Sequence, residues 1–479
     1  MAPNILWIMS DELRASALGC YGAPWGEPET PHIDRLAAEG TRFARHWCNS
    51  PACVPSRTSM LSALAPERTG IYSNEAAWKS YPVPLVPRTF PQHFADSGYL
   101  TASFGKEHLP SGYVAWQRDE SAGSGMDIFT EAVPAAALEA IVPRGIPSPV
   151  GGRFPIDRPY PPHVVTRNAQ AWLGEVRSEP FFLRVSYLQP HTPVLPPDDF
   201  RARFDPADFP GHDLPRGRGS LYEECFADAV GGRDLTHAQM QRAQADYYAL
   251  VAWLDHQVGA LLDALEASGR ADDTIVVFNS DHGASLGENG LIGKVVHTEP
   301  SQRIPLIVRW PDRVPAGEVR HDLSEAVDLA RTLCDLAGIA PDPAFEGRAL
   351  FRDPAPEAVF SVVGMGHRGA CASSAAHVGA WPDGRGWPRR ACLRTERWRF
   401  DMNVVQDGAP ILPHNEDPFL ADSHADPAEL TNLAAEPGEA ERVATFRATL
   451  LARADEAVEP AFVPEFSAAE VGAFAPPKF

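Results

Sequence analysis

The sequence predicts an α/β protein: a large mixed, mostly parallel sheet sandwiched by helices, followed by a smaller C-terminal α+β domain with a small antiparallel sheet. Three observations carry that reading. Short apolar runs of strand length alternate with longer segments whose apolar residues recur every three or four positions, the pattern of strand–helix–strand crossovers. Apolar residues make up 44% of the 479 residues, enough for a large buried core. A Pro-rich joint, Pro341 to Pro356, separates the alternating part from short strand-like pieces closed by one helix. The expected division is therefore 1–355 and 356–479.

Strands are expected at 4–9, 100–104, 181–187, 274–279 and 305–310. Between the first two, Pro31 to Arg45 reads as a helix: Thr30 is the cap, Pro31 suits the first turn, and Ile33, Leu36, Ala37 and Phe43 share a stripe. The clearest helix runs from about His237 to Ser268, with Met240, Ala243, Tyr247, Leu250, Leu254, Val258, Leu261 and Leu265 at helical spacing. Residues 110–162 are rich in Pro, Gly and Ala without a steady period and read as long loops over the sheet edge. A helix at 324–337 precedes the joint. Strand-like pieces at 358–363, 391–394 and 398–402 and a helix near 439–454 follow it.

Charge narrows the function. The formal net charge of −21 argues against a nucleic-acid surface. It would also repel an anionic substrate, so anion binding here requires a local cationic pocket and a metal. The seven cysteines contain no C-x-x-C pair and suggest neither a disulfide framework nor a zinc knuckle. No run of 18 apolar residues suggests a membrane span. The N-terminus leads straight into the strand Asn4–Met9 rather than a basic and apolar leader, so the expectation is a cytoplasmic chain. The composition is compatible with a homo-oligomer.

In an open parallel sheet ligands gather at the carboxyl ends of strands, and ionisable groups follow four of the expected strands. These are Ser10-Asp11-Glu12, Gly105-Lys106-Glu107-His108, Gln189-Pro190-His191-Thr192-Pro193 and Ser280-Asp281-His282-Gly283. Carboxylates with one imidazole suit a hard divalent cation.

The pentapeptide Cys53-Val54-Pro55-Ser56-Arg57, within the run Asn49 to Ser62, resembles the Cys-x-Pro-x-Arg maturation signature of type I sulfatases, in the alkaline phosphatase superfamily. Lys106 and His108 are similar to that family's G-K-x-H-L element, and His191 to its P-H-x-P element. Asp281-His282 resembles its S-D-H-G segment, and Leu286 to Lys294 its L-G-E-x-G-L-x-x-K run. The resemblance covers roughly 4–355, and is nearest to the arylsulfatase and phosphonate monoester hydrolase branch.

The resemblance implies a small-molecule sulfate ester substrate and a formylglycine-generating enzyme that oxidises Cys53 to Cα-formylglycine. It implies one divalent ion, calcium first and manganese or magnesium next, on Asp11, Asp281, His282 and the residue-53 oxygen. Glu12 stands where many members have a second metal-binding Asp. One hydroxyl of the hydrated aldehyde would attack sulfur, helped by the metal and Asp281. Arg57 would hold the nucleophile's oxygens, and Lys106 and Lys294 would meet charge on the sulfuryl group. His191 with Lys294 would relieve the leaving alcohol, and His108 would take the proton when sulfate is expelled. Asn74 would face the ester, and Trp78, Tyr81, Tyr113 and Trp116 would form a pocket wall. The rival readings are a phosphonate monoester or phosphodiester hydrolase of the same superfamily and a non-catalytic anion-binding relative. The Lys106/His108 pair favours sulfate over the first, and intact Cys53, Asp11, Asp281 and His282 speak against the second.

Overall fold

The structure, a computed structural model, describes residues 2–77, 88–110, 112–121, 135–142, 148–155, 160, 162–175, 178–366, 381–383 and 385–460. Eight strands build the main sheet: β1 (Asn4–Asp11), β2 (Thr41–Phe43), β3 (Leu100–Gly105), β4 (Arg118–Ser121), β5 (Phe181–Pro190), β6 (Thr274–Ser280), β7 (Leu306–Arg309) and β8 (Glu318–Arg320). Their order is β8-β2-β7-β6-β1-β5-β3-β4. The run β6-β1-β5-β3-β4 is parallel, whereas β7 is antiparallel to both β6 and β2.

The central strands are buried on both faces, which is why they read as unbroken apolar runs. Along β1, Leu6 and Ile8 enter one core and Ile5, Trp7 and Met9 the other. The first core is roofed by α1 (Pro31–Glu39), by α3 (His163–Leu173) and by α5 (His237–Ala267), and the second by α2 (Cys53–Ser62) and α6 (Asp328–Ala337). A capping box of Thr236 and Gln239 starts α5. Another helix, α4 (Leu221–Val230), faces the C-terminal domain. That domain has strands β9 (Val359–Val363), β10 (Arg389–Arg394), β11 (Trp398–Gln406), β12 (Ala409–Pro410) and β13 (Phe419–Asp422) in one antiparallel sheet, with α7 (Ala440–Asp455) packed on it.

Several sequence expectations are corrected. The helix from Pro31 stops at Glu39, and Gly40 is extended, packed so close to β7 that a Cβ there would come within 2.5 Å of the Val308 carbonyl oxygen. The next residues add strand β2 beside β7 instead. Thr30 does not cap that helix; Asp255 of α5 accepts from the His32 and Ile33 amides at 3.2 and 2.8 Å. The helix expected from 324 begins at Asp328, after the short strand Ser324–Glu325. Within 110–162, β4 closes the sheet edge, and Leu138–Val142 pairs with Ser148–Gly152 as a hairpin. No helix among the described residues is long and apolar enough to cross a membrane.

Candidate active site

The carboxyl ends of β1, β3, β5 and β6 converge on the first turn of α2, where Cys53 is the first helical residue. The helix starts there for local reasons. Ala52 is extended, Pro55 falls in the first turn where its missing N–H costs no bond, and the Asn74 side-chain oxygen accepts from the Val54 amide at 3.0 Å. All ten residues of α2 are buried although half are polar. Three of its four hydroxyls have protein acceptors: Thr58 donates to the Val54 carbonyl, Ser62 to the Thr58 carbonyl (both 2.7 Å), and Ser56 to the Asp281 carbonyl at 2.5 Å, whereas Ser59 Oγ is buried without one. The positive end of the helix dipole therefore points at the Cys53 sulfur.

Arg57, one turn on, is fully buried and ties the strand ends together. It donates to Asp11 Oδ2 at 3.0 Å, to Asp281 Oδ2 at 2.7 Å, to the Lys106 carbonyl at 3.0 Å and to Ser186 Oγ at 3.0 Å. A planar fork with five donors can make this set and an ammonium cannot. Asp281 Oδ1 in turn accepts from the Glu12 and His282 amides at 3.1 and 2.9 Å. Gly105 lets β3 turn into Lys106: its φ is +94°, and a Cβ there would meet the Ser186 carbonyl oxygen at 2.0 Å.

Asp11, Cys53, Asp281 and His282 each offer a ligand atom, all within 4.8 Å of one another and all buried. Burial and the Cys53 sulfur oppose ionisation of Asp11, but Lys106, His191 and Lys294 hold it well below the usual carboxylate range. Asp281 is pushed the other way, by burial first and then by the Asp11 charge. Two carboxylates this close in a dry site call for a cation between them. Two carboxylates and an imidazole whose Nδ1 lies 3.0 Å from the Gly283 carbonyl, with Nε2 turned into the cluster, fit a hard divalent ion. Glu12 groups instead with Asp11 and His191.

Cations ring the sulfur. Lys294 Nζ lies 2.9 Å from Cys53 Sγ, His282 Nε2 3.2 Å and Lys106 Nζ 3.6 Å. Lys106 also pairs closely with Asp11. Burial alone would raise the Cys53 thiol, yet Lys106, Lys294 and His282 together hold it well below its ordinary value. His108, at φ +50°, bonds the same sulfur, and burial and then Lys106 push it down to about 4. Burial would lower His282 too, but Asp281 raises it to about 8.

Toward the opening, Lys294 pairs with Glu12 Oε2 at 3.1 Å, and His191 Nε2 lies 3.5 Å from the same oxygen. His191 Nδ1 sits 2.6 Å from the Thr192 carbonyl, which fixes the ring. The structure thus brings together Asp11, Glu12, Cys53, Arg57, Lys106, His108, His191, Asp281, His282 and Lys294. Asn74 stands at the start of α2, its carbonyl accepting from the Val54 amide. The aromatic wall is corrected in part. Tyr113 and Trp116 are buried in the second core, Trp116 edge-on to Phe182 at 5.3 Å. Trp78 and Tyr81 lie outside the described residues. Sequence reasoning missed Ser186 and Tyr247, whose hydroxyl donates to the Glu12 carbonyl at 2.7 Å. Only Ser186, a polar residue late in a buried apolar strand, left a signal.

Comparison with known proteins agrees with this geometry. The sulfatase family model matches residues 3–339. The choline-sulfatase of Rhizobium meliloti (strain 1021) is 27% identical over 472 residues, covering 91% of this chain and 83% of its own. The arylsulfatase of Clostridium perfringens (strain 13 / Type A) is 27% identical over 390 residues, covering 73% and 78%. The crystal structure of the phosphonate monoester hydrolase of Agrobacterium radiobacter superposes with a TM-score of 0.75 at 22% identity, covering 95% of this chain and 96% of that one, a likeness of fold. The strand-end constellation and a family match spanning most of the chain lead to one conclusion: this protein belongs to the sulfatase family, the sulfuric ester hydrolases.

Proposed function

We propose that this enzyme hydrolyses a sulfate monoester of a small aryl, alkyl or sugar alcohol, with residue 53 as Cα-formylglycine and one divalent cation on Asp11, Asp281, His282 and residue 53. Calcium is the first choice for that ion, and manganese or magnesium the next. The Cys53 sulfur marks where the oxygens of the oxidised side chain would lie. When present, the hydrated aldehyde supplies a hydroxyl nucleophile and a second hydroxyl through which sulfate departs, and the cation neutralises charge on the oxygens around it.

The chain's own residues account for the rest. Arg57 fixes both carboxylates from behind, so the donors do not reorganise during reaction. Lys106 and Lys294 supply positive charge on two sides of residue 53 for the sulfuryl oxygens, and Lys294, which shares Glu12 with His191, also stands on the leaving-group side. His191, its ring set by Thr192 and its Nε2 held beside Glu12, is the group that would give the departing oxygen a proton. His108, neutral above about pH 4, can take the proton whose loss returns the aldehyde. Maturation would require a formylglycine-generating enzyme.

The carrying observation is the pair of ammonium groups, Lys106 and Lys294, set against one buried sulfur at the start of a helix. It supports an anionic ester, and it overcomes locally the repulsion expected from a net charge of −21. A second reading, phosphonate monoester hydrolysis, draws support from the fold likeness. Turnover of an aryl sulfate, a phosphonate monoester and a phosphodiester by the mature enzyme separates them. Sulfate should dominate; dominant phosphonate turnover would replace the proposal.

A further inference from the structure

Lys294 has an unusual support. It follows a short hairpin (Ser285–Leu286 with Ile292–Gly293) and precedes Val295, whose φ is +77°. A β-branched residue in the left-handed region is strained and persists only where its surroundings fix it. One restraint comes from the nucleophile's own approach: the Val295 amide donates to the Pro51 carbonyl at 3.0 Å. A second is apolar, because Val295 and Val296 are buried beside Ala52, Tyr222 and Trp381.

The third restraint reaches in from the C-terminal domain. Arg394 of β10 donates from Nη2 to the His297 carbonyl at 2.7 Å and from Nε to Gln302 Oε1 at 2.6 Å. Gln302 donates its amide to His297 Nδ1 at 2.9 Å, and His297 Nε2 lies 3.2 Å from the Arg390 carbonyl. Burial pushes His297 down to about 3, so it is neutral and a single tautomer satisfies both contacts. The guanidinium is itself anchored. Glu429 pairs with it and with Arg399 at 3.0 Å, and its Cζ sits 4.3 Å over the Trp47 ring of the catalytic domain.

We propose that Arg394 is a positioning residue: through the His297 carbonyl and Gln302 it holds the 294–298 loop so that the Lys294 ammonium stays beside residue 53. The inference rests on the assignment of Lys294 to the leaving-group side made above. Arg394 touches no reacting atom. A plain domain-joining ion pair would explain Glu429, but not the bond to the His297 carbonyl or the one relayed through Gln302 to the His297 ring.

The test compares Arg394→Lys, which keeps a charge for Glu429 but cannot fork to Gln302 and the carbonyl together. Gln302→Met is the second variant; it removes the relay from Arg394 to the His297 ring while leaving the Arg394–Glu429 pair intact, should the first fail to fold. Two readouts are taken on the full chain, with Lys294→Met as reference. Hydrogen exchange of the 293–298 amides should quicken about tenfold while that of α2 is unchanged. Hydrolysis of aryl sulfates with graded leaving groups should fall about 10–100-fold for the poorest alcohols and hardly at all for the best. Combining either variant with Lys294→Met should cost little beyond Lys294→Met alone. Unchanged loop exchange, an equal loss for every leaving group, or additive losses would overturn the proposal. If the unaltered enzyme hydrolyses no sulfate ester, the functional reading fails separately. Loop exchange then decides the brace: loosening confined to 293–298 supports it, and its absence overturns it.

Discussion

Two sides of the active site are held in different ways. On the nucleophile side, Asp11, Asp281, His282 and Lys106 extend from the ends of parallel strands, locked by sheet registers and by the four-way grip of Arg57. On the leaving-group side, Glu12 and His191 also follow strands β1 and β5, but Lys294 sits on a loop, paired with Glu12 and buttressed from the second domain. The difference teaches where precision is needed. Groups that define the nucleophile are fixed by the fold itself, whereas Lys294 is fixed by loop contacts that can change without disturbing the sheet.

Mutations should follow that division. Cys53→Ala should remove activity by about 10⁴-fold or more, since no other side chain in the ring can be the nucleophile; turnover on a sulfate ester measures it. Arg57→Lys should cost about 10²–10³-fold in kcat and weaken divalent-metal binding about 10–100-fold, because one ammonium cannot span Asp11, Asp281 and Ser186. Titration of metal-depleted enzyme reads the second effect. Lys294→Met should lower kcat by roughly 10²-fold with poor leaving groups and much less with good ones. An equal loss across leaving groups would move Lys294 to the nucleophile side. Glu12→Gln should change activity less than about tenfold and leave metal affinity intact if the carboxylate is the partner of Lys294. A matched loss of affinity would place Glu12 among the metal ligands. The smallest effect is expected for Asn74→Ala, a loss of about 1 kcal/mol of stability from the uncapped α2 amide, with kcat nearly unchanged.

The same division governs what could be read before folding. Asp11, Lys106, His108 and Asp281-His282 were legible because each directly follows an apolar run, so position along the chain foretells position at the sheet's edge. The Cys53 to Arg57 spacing was legible because one helical turn separates the two. The supports were not. Arg57 meets Ser186 across 129 positions, and Arg394 meets the His297 carbonyl across 97. No local periodicity encodes such pairs. Thr30 misled for the same reason: the helix it precedes is capped by Asp255, 223 positions from His32. Trp116 looked like a pocket aromatic in a Pro-rich stretch, yet it fills the core against Phe182, because burial of its ring decides its place.

The central claim is that residue 53 works as an aldehyde hydrate rather than as a thiol. The most direct measurement prepares the protein with graded degrees of oxidation at this position, quantified by mass spectrometry of the peptide that contains it, and plots turnover of a sulfate ester against the aldehyde fraction. The account predicts a straight line through the origin. Full activity in protein whose residue 53 is entirely thiol would contradict it.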